Sequence, residues 1–172
     1  MEITVPAGWQ ASNHFRVIFP SGEGGIDAAV RGPDGAGLVL GWTNNWVGLN
    51  SDPCLPVWHV RPDIPVGPTV DDFVDAVVAH PALEVSDPTD VELGDHRGRL
   101  LTLTGPSDIS GCLNWRPWDP GFYVQGRDNI WHIWVIDVDG FRVLIVAQYF
   151  AGTPADIKAD LGEMVQSIRF VP

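Results

Sequence analysis

The feature that most constrains this chain is the stretch 130–150, in which two β-rich runs flank the dipeptide Asp139-Gly140. Asp-Gly favours a two-residue type I′ turn, because that turn needs positive φ at both central residues. A two-residue loop also fixes the register of the two strands, so Trp134 should face Ile145. The sequence therefore predicts a β-hairpin over 130–150.

Both faces of this predicted hairpin are apolar. One face carries Ile130, His132, Trp134, Ile136, Phe141, Val143, Ile145 and Tyr149. The other carries Trp131, Ile133, Val135, Leu144 and Val146. We therefore expect the hairpin in the middle of a sheet that is covered on both sides, with Trp131 and Trp134 in the core. Charged residues at Asp137, Asp139 and Arg142 exclude a membrane span.

Two helices are predicted beside the hairpin. Thr69 can cap a helix over about 69–80, since Asp72 follows three residues later in a capping-box-like arrangement. Thr153, followed by proline, is predicted as the N-cap of a second helix over about 154–168. Strands combined with two good helices indicate an α+β fold, in which a central antiparallel sheet built around the 130–150 hairpin carries both helices.

Shorter patterns complete the predicted organisation. The runs 3–6, 15–19 and 122–125 are typical of short strands, and the glycine-rich segment 21–25 is typical of a turn. The length is typical of one domain with a sizeable core, and we therefore expect a single globular domain over 1–172.

The two cysteines lie on the two irregular parts of the chain. Cys54 stands in the segment 44–68 and Cys112 in the segment 107–121, both rich in turn-forming residues. An even number of cysteines on loops favours one disulfide in an oxidising compartment, although two unrelated thiols are the alternative. Neither cysteine has the spacing of a redox motif or of a zinc site.

Four of the eight tryptophans stand on these same two loops. They are Trp46, Trp58, Trp115 and Trp118. Indoles beside Asp and Asn can stack on a sugar ring or enclose an apolar ligand, so these four form a candidate ligand face. The alternative is that they pack the loops onto the sheet.

No catalytic, cofactor-binding or metal-binding residue can be assigned from the sequence. The five histidines are scattered without H-x-H or H-x-x-x-H spacing, and no G-x-S-x-G motif is present. His132 is expected to be a hydrogen-bonded core residue, and His80 stands at a helix C-terminus that favours a cation. The formal net charge of −12 argues against nucleic acid and anionic membranes as partners.

Several segments together carry a resemblance to known proteins. They are DPC at 52–54, GPTVDDFV at 67–74, PTDV at 88–91 with Gly94 and Gly98, Cys112, IWVIDVDG at 133–140, Gly152-Thr153, and MVQSIRF at 164–170. As a set they resemble a group of actinobacterial extracytoplasmic domains of unknown function, often found behind a membrane anchor. The overall layout is similar to PsbP-like domains.

This resemblance covers roughly 38–170. It implies an extracytoplasmic location, either secreted or anchored to the cell envelope by a segment absent from this sequence. It supplies no catalytic residue.

Three functions remain open from the sequence. The first is an extracytoplasmic binding or sensor domain, not an enzyme, that uses the two loops to bind a small molecule or glycan. The second is a carbohydrate-binding or carbohydrate-hydrolysing protein, which exposed coplanar tryptophans would favour. The third is a structural module that binds a protein partner through a flat apolar patch.

Overall fold

A computed structural model describes residues 2–19, 22–31, 35–43, 48–56, 62–119 and 123–170. The long strands are β1 (Gln10–Phe19), β2 (Gly22–Arg31), β3 (Gly37–Thr43), β8 (Thr89–Leu93), β9 (His96–Thr104), β12 (Ile130–Val138) and β13 (Phe141–Tyr149). Two-residue strands are β4 (Gly48–Leu49), β5 (Cys54–Leu55), β6 (Ile64–Pro65), β7 (Glu84–Val85), β10 (Asn114–Trp115) and β11 (Trp118–Asp119). The helices are α1 (Val70–Val78) and α2 (Ala155–Gln166). The predicted α+β class is confirmed.

One antiparallel sheet of eight strands dominates the structure. Its strand order is β1-β2-β3-β13-β12-β9-β7, and β8 also pairs with β9. The hairpin of β12 and β13 is flanked by β9 on one side and β3 on the other. The hairpin therefore lies in the middle of the sheet, as its two apolar faces predicted.

The central turn has the predicted geometry. Asp139 and Gly140 have φ values of 54° and 84°, and the Gly140 amide donates to the Asp137 carboxylate over 2.7 Å. Trp134 pairs with Ile145 in the register that a two-residue loop requires. Local turn chemistry thus fixes the alignment of the two most central strands.

Each face of the hairpin is covered by a different helix. On the α1 face, α1 contributes Phe73, Val74 and Val77, packed with Trp131, Ile133, Val135, Leu144 and Val146. On the α2 face, α2 contributes Leu161, Met164 and Val165, packed with Ile136, Val143 and Ile145. The sheet is therefore the middle layer of three, which explains why its central strands have few exposed positions.

The start of α1 is tied to the sheet by a buried arginine. Thr69 and Asp72 form the predicted capping box, with backbone-to-side-chain bonds of 3.1 and 2.9 Å. Arg142 of β13, only 2% exposed, donates to the carbonyl oxygens of Gly67 and Thr69 over 2.6 and 2.8 Å. Burial lowers the pKa of Arg142 to about 10, against an opposing effect of Asp72. The guanidinium also lies over the Phe73 ring, 5.3 Å from its centroid.

Two strand predictions near the ends of the sheet are wrong. Residues 3–6 form no strand, and the terminal segment makes a single bridge between Glu2 and Arg169. Residues 123–125 are also not a strand; instead the Val124 amide donates to the Trp115 carbonyl oxygen over 3.0 Å. In both places the apolar side chains, Ile3 and Val5 in one segment and Val124 in the other, pack against the core without extending the sheet.

The predicted glycine turn and the predicted start of α2 also differ from the structure. Gly22–Gly25 belong to β2 and pair with β1, because a neighbouring strand outweighs the low strand propensity of glycine. Helix α2 has Pro154 as its N-cap, one residue later than predicted. The Thr153 hydroxyl accepts instead from the Phe150 amide over 3.0 Å, so its oxygen points backward along the chain.

Candidate functional site

The two irregular loops are joined along their length. Strand β5 pairs with β10, while β4 pairs with both β11 and β6. A disulfide links Cys54 to Cys112, with Cα atoms 4.9 Å apart and a sequence separation of 58. The predicted disulfide is confirmed, and the loops that carry it form one structural unit.

Hydrogen bonds of Asn50 and His80 connect the two loops to each other and to α1. The side-chain amide of Asn50 donates to the Arg116 carbonyl oxygen over 2.8 Å. The backbone amide of Asn50 donates to the Pro117 carbonyl oxygen over 2.9 Å. His80, 4% exposed, places Nε2 3.0 Å from the Asn50 carbonyl oxygen. The first loop is therefore fixed both to the second loop and to the end of α1.

The tautomer of His80 follows from its two partners. Nδ1 accepts from the Ala82 amide over 3.2 Å, so the hydrogen must sit on Nε2, which donates to the Asn50 carbonyl oxygen. Both ring nitrogens are thus engaged with backbone groups. The side chain acts as a fixed link between α1 and the first loop.

Two of the four candidate tryptophans are buried. Trp115 is 6% exposed and Trp118 is 1% exposed. Trp118 packs edge-on against Phe73 of α1 and Trp131 of β12, with ring centroids 5.4 and 5.5 Å apart. The structure corrects the candidate ligand face at these two positions, because their indoles fill the space between loops, helix and sheet and offer no ring face to a ligand.

The other two candidate residues, Trp46 and Trp58, lie outside the described residues. On the two joined loops, two buried side-chain amides lack full hydrogen bonding. Among the residues that the structure describes, Asn50 Oδ1 finds no partner, and neither does any side-chain polar atom of Asn114. Buried polar atoms are nearly always paired, so these amides are the unsatisfied polar groups of the joined loops.

A second cluster of polar and aromatic groups lies on the α2 face of the sheet. We call His132, Trp134 and Tyr149 the aromatic patch; all three are partly exposed. The His132 ring lies 6.1 Å from that of Trp134 and 5.4 Å from that of Tyr149, tilted by 32° and 33°. Lys158 of α2 places Nζ over the Tyr149 ring, 5.1 Å from its centroid.

The patch contains a short hydrogen bond between two titratable groups. His132 Nε2 is 2.7 Å from the Tyr149 hydroxyl oxygen. Burial lowers the pKa of His132 and raises the pKa of Tyr149, so both are neutral near pH 7. His132 is hydrogen-bonded as the sequence predicted, but neither it nor Trp134 is a fully buried core residue. In the sequence, the indication of this patch is His132, a polar residue on the face of β12 that otherwise carries Ile130, Trp134 and Ile136.

The described ranges hold no group of three His, Cys, Asp or Glu side chains arranged to bind a metal ion. No helix in the part of the chain that the structure describes is long and apolar enough to cross a membrane.

Comparison with known proteins gives no family assignment. No family model matches the chain, and no match was found among curated proteins.

Proposed function

We propose that this protein is a non-catalytic binding or sensor domain that works outside the cytoplasm. The Cys54–Cys112 disulfide is the observation that carries the proposal. Disulfides of this kind form and persist in oxidising compartments and are rare in the cytosol. The resemblance to actinobacterial extracytoplasmic domains, secreted or anchored to the cell envelope, and to the PsbP-like layout points in the same direction.

The surface formed by the two joined loops is the proposed ligand face. Trp115 and Trp118 support it from below, since both are buried under the loops. The contacts with a ligand are assigned to Trp46 and Trp58, while Asn50 and Asn114 are buried beneath this surface and hold the loops together. A small molecule or a glycan suits this pair of indoles.

The location is tested in cells that make the protein naturally. Cell fractions are collected in the presence of a thiol-blocking reagent, and the protein in each fraction is examined by mass spectrometry with and without reductant. We expect the protein in the envelope or medium fraction, with both cysteines protected until reduction. Reduced protein confined to the cytosol would contradict the proposal.

The ligand face is tested with Trp46→Ala and Trp58→Ala. A panel of neutral oligosaccharides and small apolar molecules is titrated while tryptophan fluorescence is recorded. Phe141→Ala is the control, because Phe141 is an aromatic residue, 51% exposed, that lies beside the central turn and outside the two loops. Binding that survives both tryptophan substitutions would move the ligand face away from the loops.

A structural module that binds a protein partner is the second candidate. The burial of Trp115 and Trp118 favours it, because both indoles then serve stability alone. A carbohydrate-hydrolysing protein has less support, since Trp115 and Trp118 are buried and are not the exposed coplanar tryptophans that would favour it. Failure of every small ligand in the panel, with the fold intact, would leave the partner-binding module.

A further inference from the structure

The α2 face of the central sheet is closed over β13 and partly open over β12 and β9. On β13, Val143, Ile145 and Ala147 are buried in the core beneath α2. On β12, His132 and Trp134 are partly exposed. Their neighbours on β9 that share this face are partly exposed too, namely Leu100, Thr102 and Thr104.

We propose that this aromatic patch is a second binding site, which takes the ring face of a neutral sugar. The three rings of His132, Trp134 and Tyr149 are neighbours with similar tilts and lie on one face of adjacent strands. Aromatic rings with polar edges suit a ligand that is apolar on one face and rich in hydroxyl groups at its rim. The partly exposed side chains of His132, Trp134 and Tyr149 thus lie side by side and form one aromatic surface.

Hydrogen-bonding groups stand at the rim of the patch. His132 Nε2 is hydrogen-bonded to the Tyr149 hydroxyl group. We therefore assign the other ring nitrogen, Nδ1, to a hydrogen bond with the ligand. Thr102 lies directly opposite His132 in the strand register, at the distance of a cross-strand pair. Lys158 Nζ stands over Tyr149 and can donate to a hydroxyl group beside that ring. Hydroxyl groups of a sugar can both donate to and accept from this set.

The charges of the protein favour a neutral ligand over an anion or a cation. The formal net charge of −12 disfavours an anion. A cationic ligand would seek the face of an aromatic ring, but Lys158 already lies over Tyr149. A neutral ring compound avoids electrostatic repulsion by either sign of charge, and because Lys158 lies over Tyr149, its stacking contact is assigned to His132 and Trp134.

This site lies on the opposite face of the sheet from the joined loops, so it is independent of the loop surface while resting on the proposal of a binding domain. The two sites are told apart by their tryptophans. Trp134 belongs to the patch, and Trp58 belongs to the loops.

The test is a titration of the full chain with maltotetraose, cellotetraose and chitotetraose, followed by NMR of the ¹⁵N-labelled indole groups. Trp134→Phe assigns the Trp134 signal.

We expect at least one sugar to shift that signal. We also expect His132→Ala to weaken binding of that sugar about tenfold, because the variant loses one hydrogen-bonding group and the contact of its ring. His132→Gln, which preserves a polar side chain, replaces it if the alanine variant does not fold. Phe141→Ser is the control, because Phe141 is an aromatic residue of the same hairpin, 51% exposed, beside the turn at the far end of the strands.

Two results would overturn the site. One is no shift of the Trp134 signal with any of the three sugars at millimolar concentration. The other is a shift whose affinity is the same in the His132 variant as in the unmodified chain. Signals that shift only at Trp46 or Trp58 would overturn the patch while supporting the loop face.

Discussion

Trp118 packs edge-on against Trp131, with ring centroids 5.5 Å apart and ring planes at 75°. Trp118 belongs to the second loop, and Trp131 belongs to the most central hairpin of the sheet. The contact makes the loop part of the hydrophobic core, because both indoles are almost completely buried. The second loop, although irregular in sequence, therefore covers part of the α1 face of the sheet.

The disulfide should stabilise the fold substantially. Because it closes a segment of 58 residues, loop entropy alone predicts a loss of about 4 kcal/mol in the free energy of unfolding for Cys112→Ser. Urea denaturation followed by circular dichroism measures this loss. The double variant Cys54→Ser/Cys112→Ser is the control and should lose about the same amount; a stability unchanged by either variant would show that the bridge does not constrain the chain.

Gly98 should tolerate no side chain. It lies on β9 opposite Ile136, and an added Cβ would collide with the Val135 carbonyl oxygen and lie 2.9 Å from the Ile136 Cα atom. Backbone atoms of a central strand cannot move aside easily, so Gly98→Ala should destabilise the protein by about 1–3 kcal/mol or more.

The matched control for Gly98 is Gly162→Ala in the middle of α2. An added Cβ there meets nothing within 4 Å, and alanine favours helix, so thermal denaturation should show a gain of about 0.5–1 kcal/mol. A loss at Gly162 comparable to that at Gly98 would contradict the strand-crowding argument.

The capping box at Thr69 should contribute to the stability of α1. Thr69→Ala removes the oxygen that accepts from the Asp72 amide and should lower the free energy of unfolding by about 1 kcal/mol. Thr69→Ser keeps that oxygen and should be close to neutral. Equal losses in the two variants, measured by urea denaturation, would mean that the hydroxyl is not the stabilising group.

His132 should make stability depend on pH. Its pKa in the folded protein is lowered from 6.5 by burial, so the unfolded chain binds the proton more readily than the folded chain. The stability should therefore be highest above about pH 6.5 and should fall as the pH drops through that value towards the folded-state pKa. Urea denaturation at about pH 7.5 and pH 5.5 measures the difference.

In His132→Gln this pH dependence should be weaker. An identical dependence in the variant and the unmodified chain would assign it to other groups.

Local chemistry explains what could be predicted from the sequence. The Asp139-Gly140 turn sets the register of β12 and β13 within a few residues, and the Thr69–Asp72 capping box starts α1 in the same local way. The alternation along β12 correctly predicted which side chains meet α1, since strand periodicity depends only on the backbone.

Tertiary contacts explain what could not be predicted. The strands that join the two loops are two residues long and leave no periodic pattern. The exposure of Trp134 depends on how far α2 extends over the sheet, so its strand position alone suggested a core residue. The burial of Trp115 and Trp118 likewise depends on how the disulfide-linked loops pack onto the sheet.

The central claim is that the joined loops are part of the core, while Trp134 is only partly buried beside the core beneath α2. The free energies of unfolding of Trp118→Ala and Trp134→Ala test it most directly. We predict a loss of about 3–5 kcal/mol for Trp118→Ala and a smaller loss for Trp134→Ala, because part of the Trp134 indole stays in contact with water. A nearly neutral Trp118→Ala beside a strongly destabilising Trp134→Ala would contradict this account.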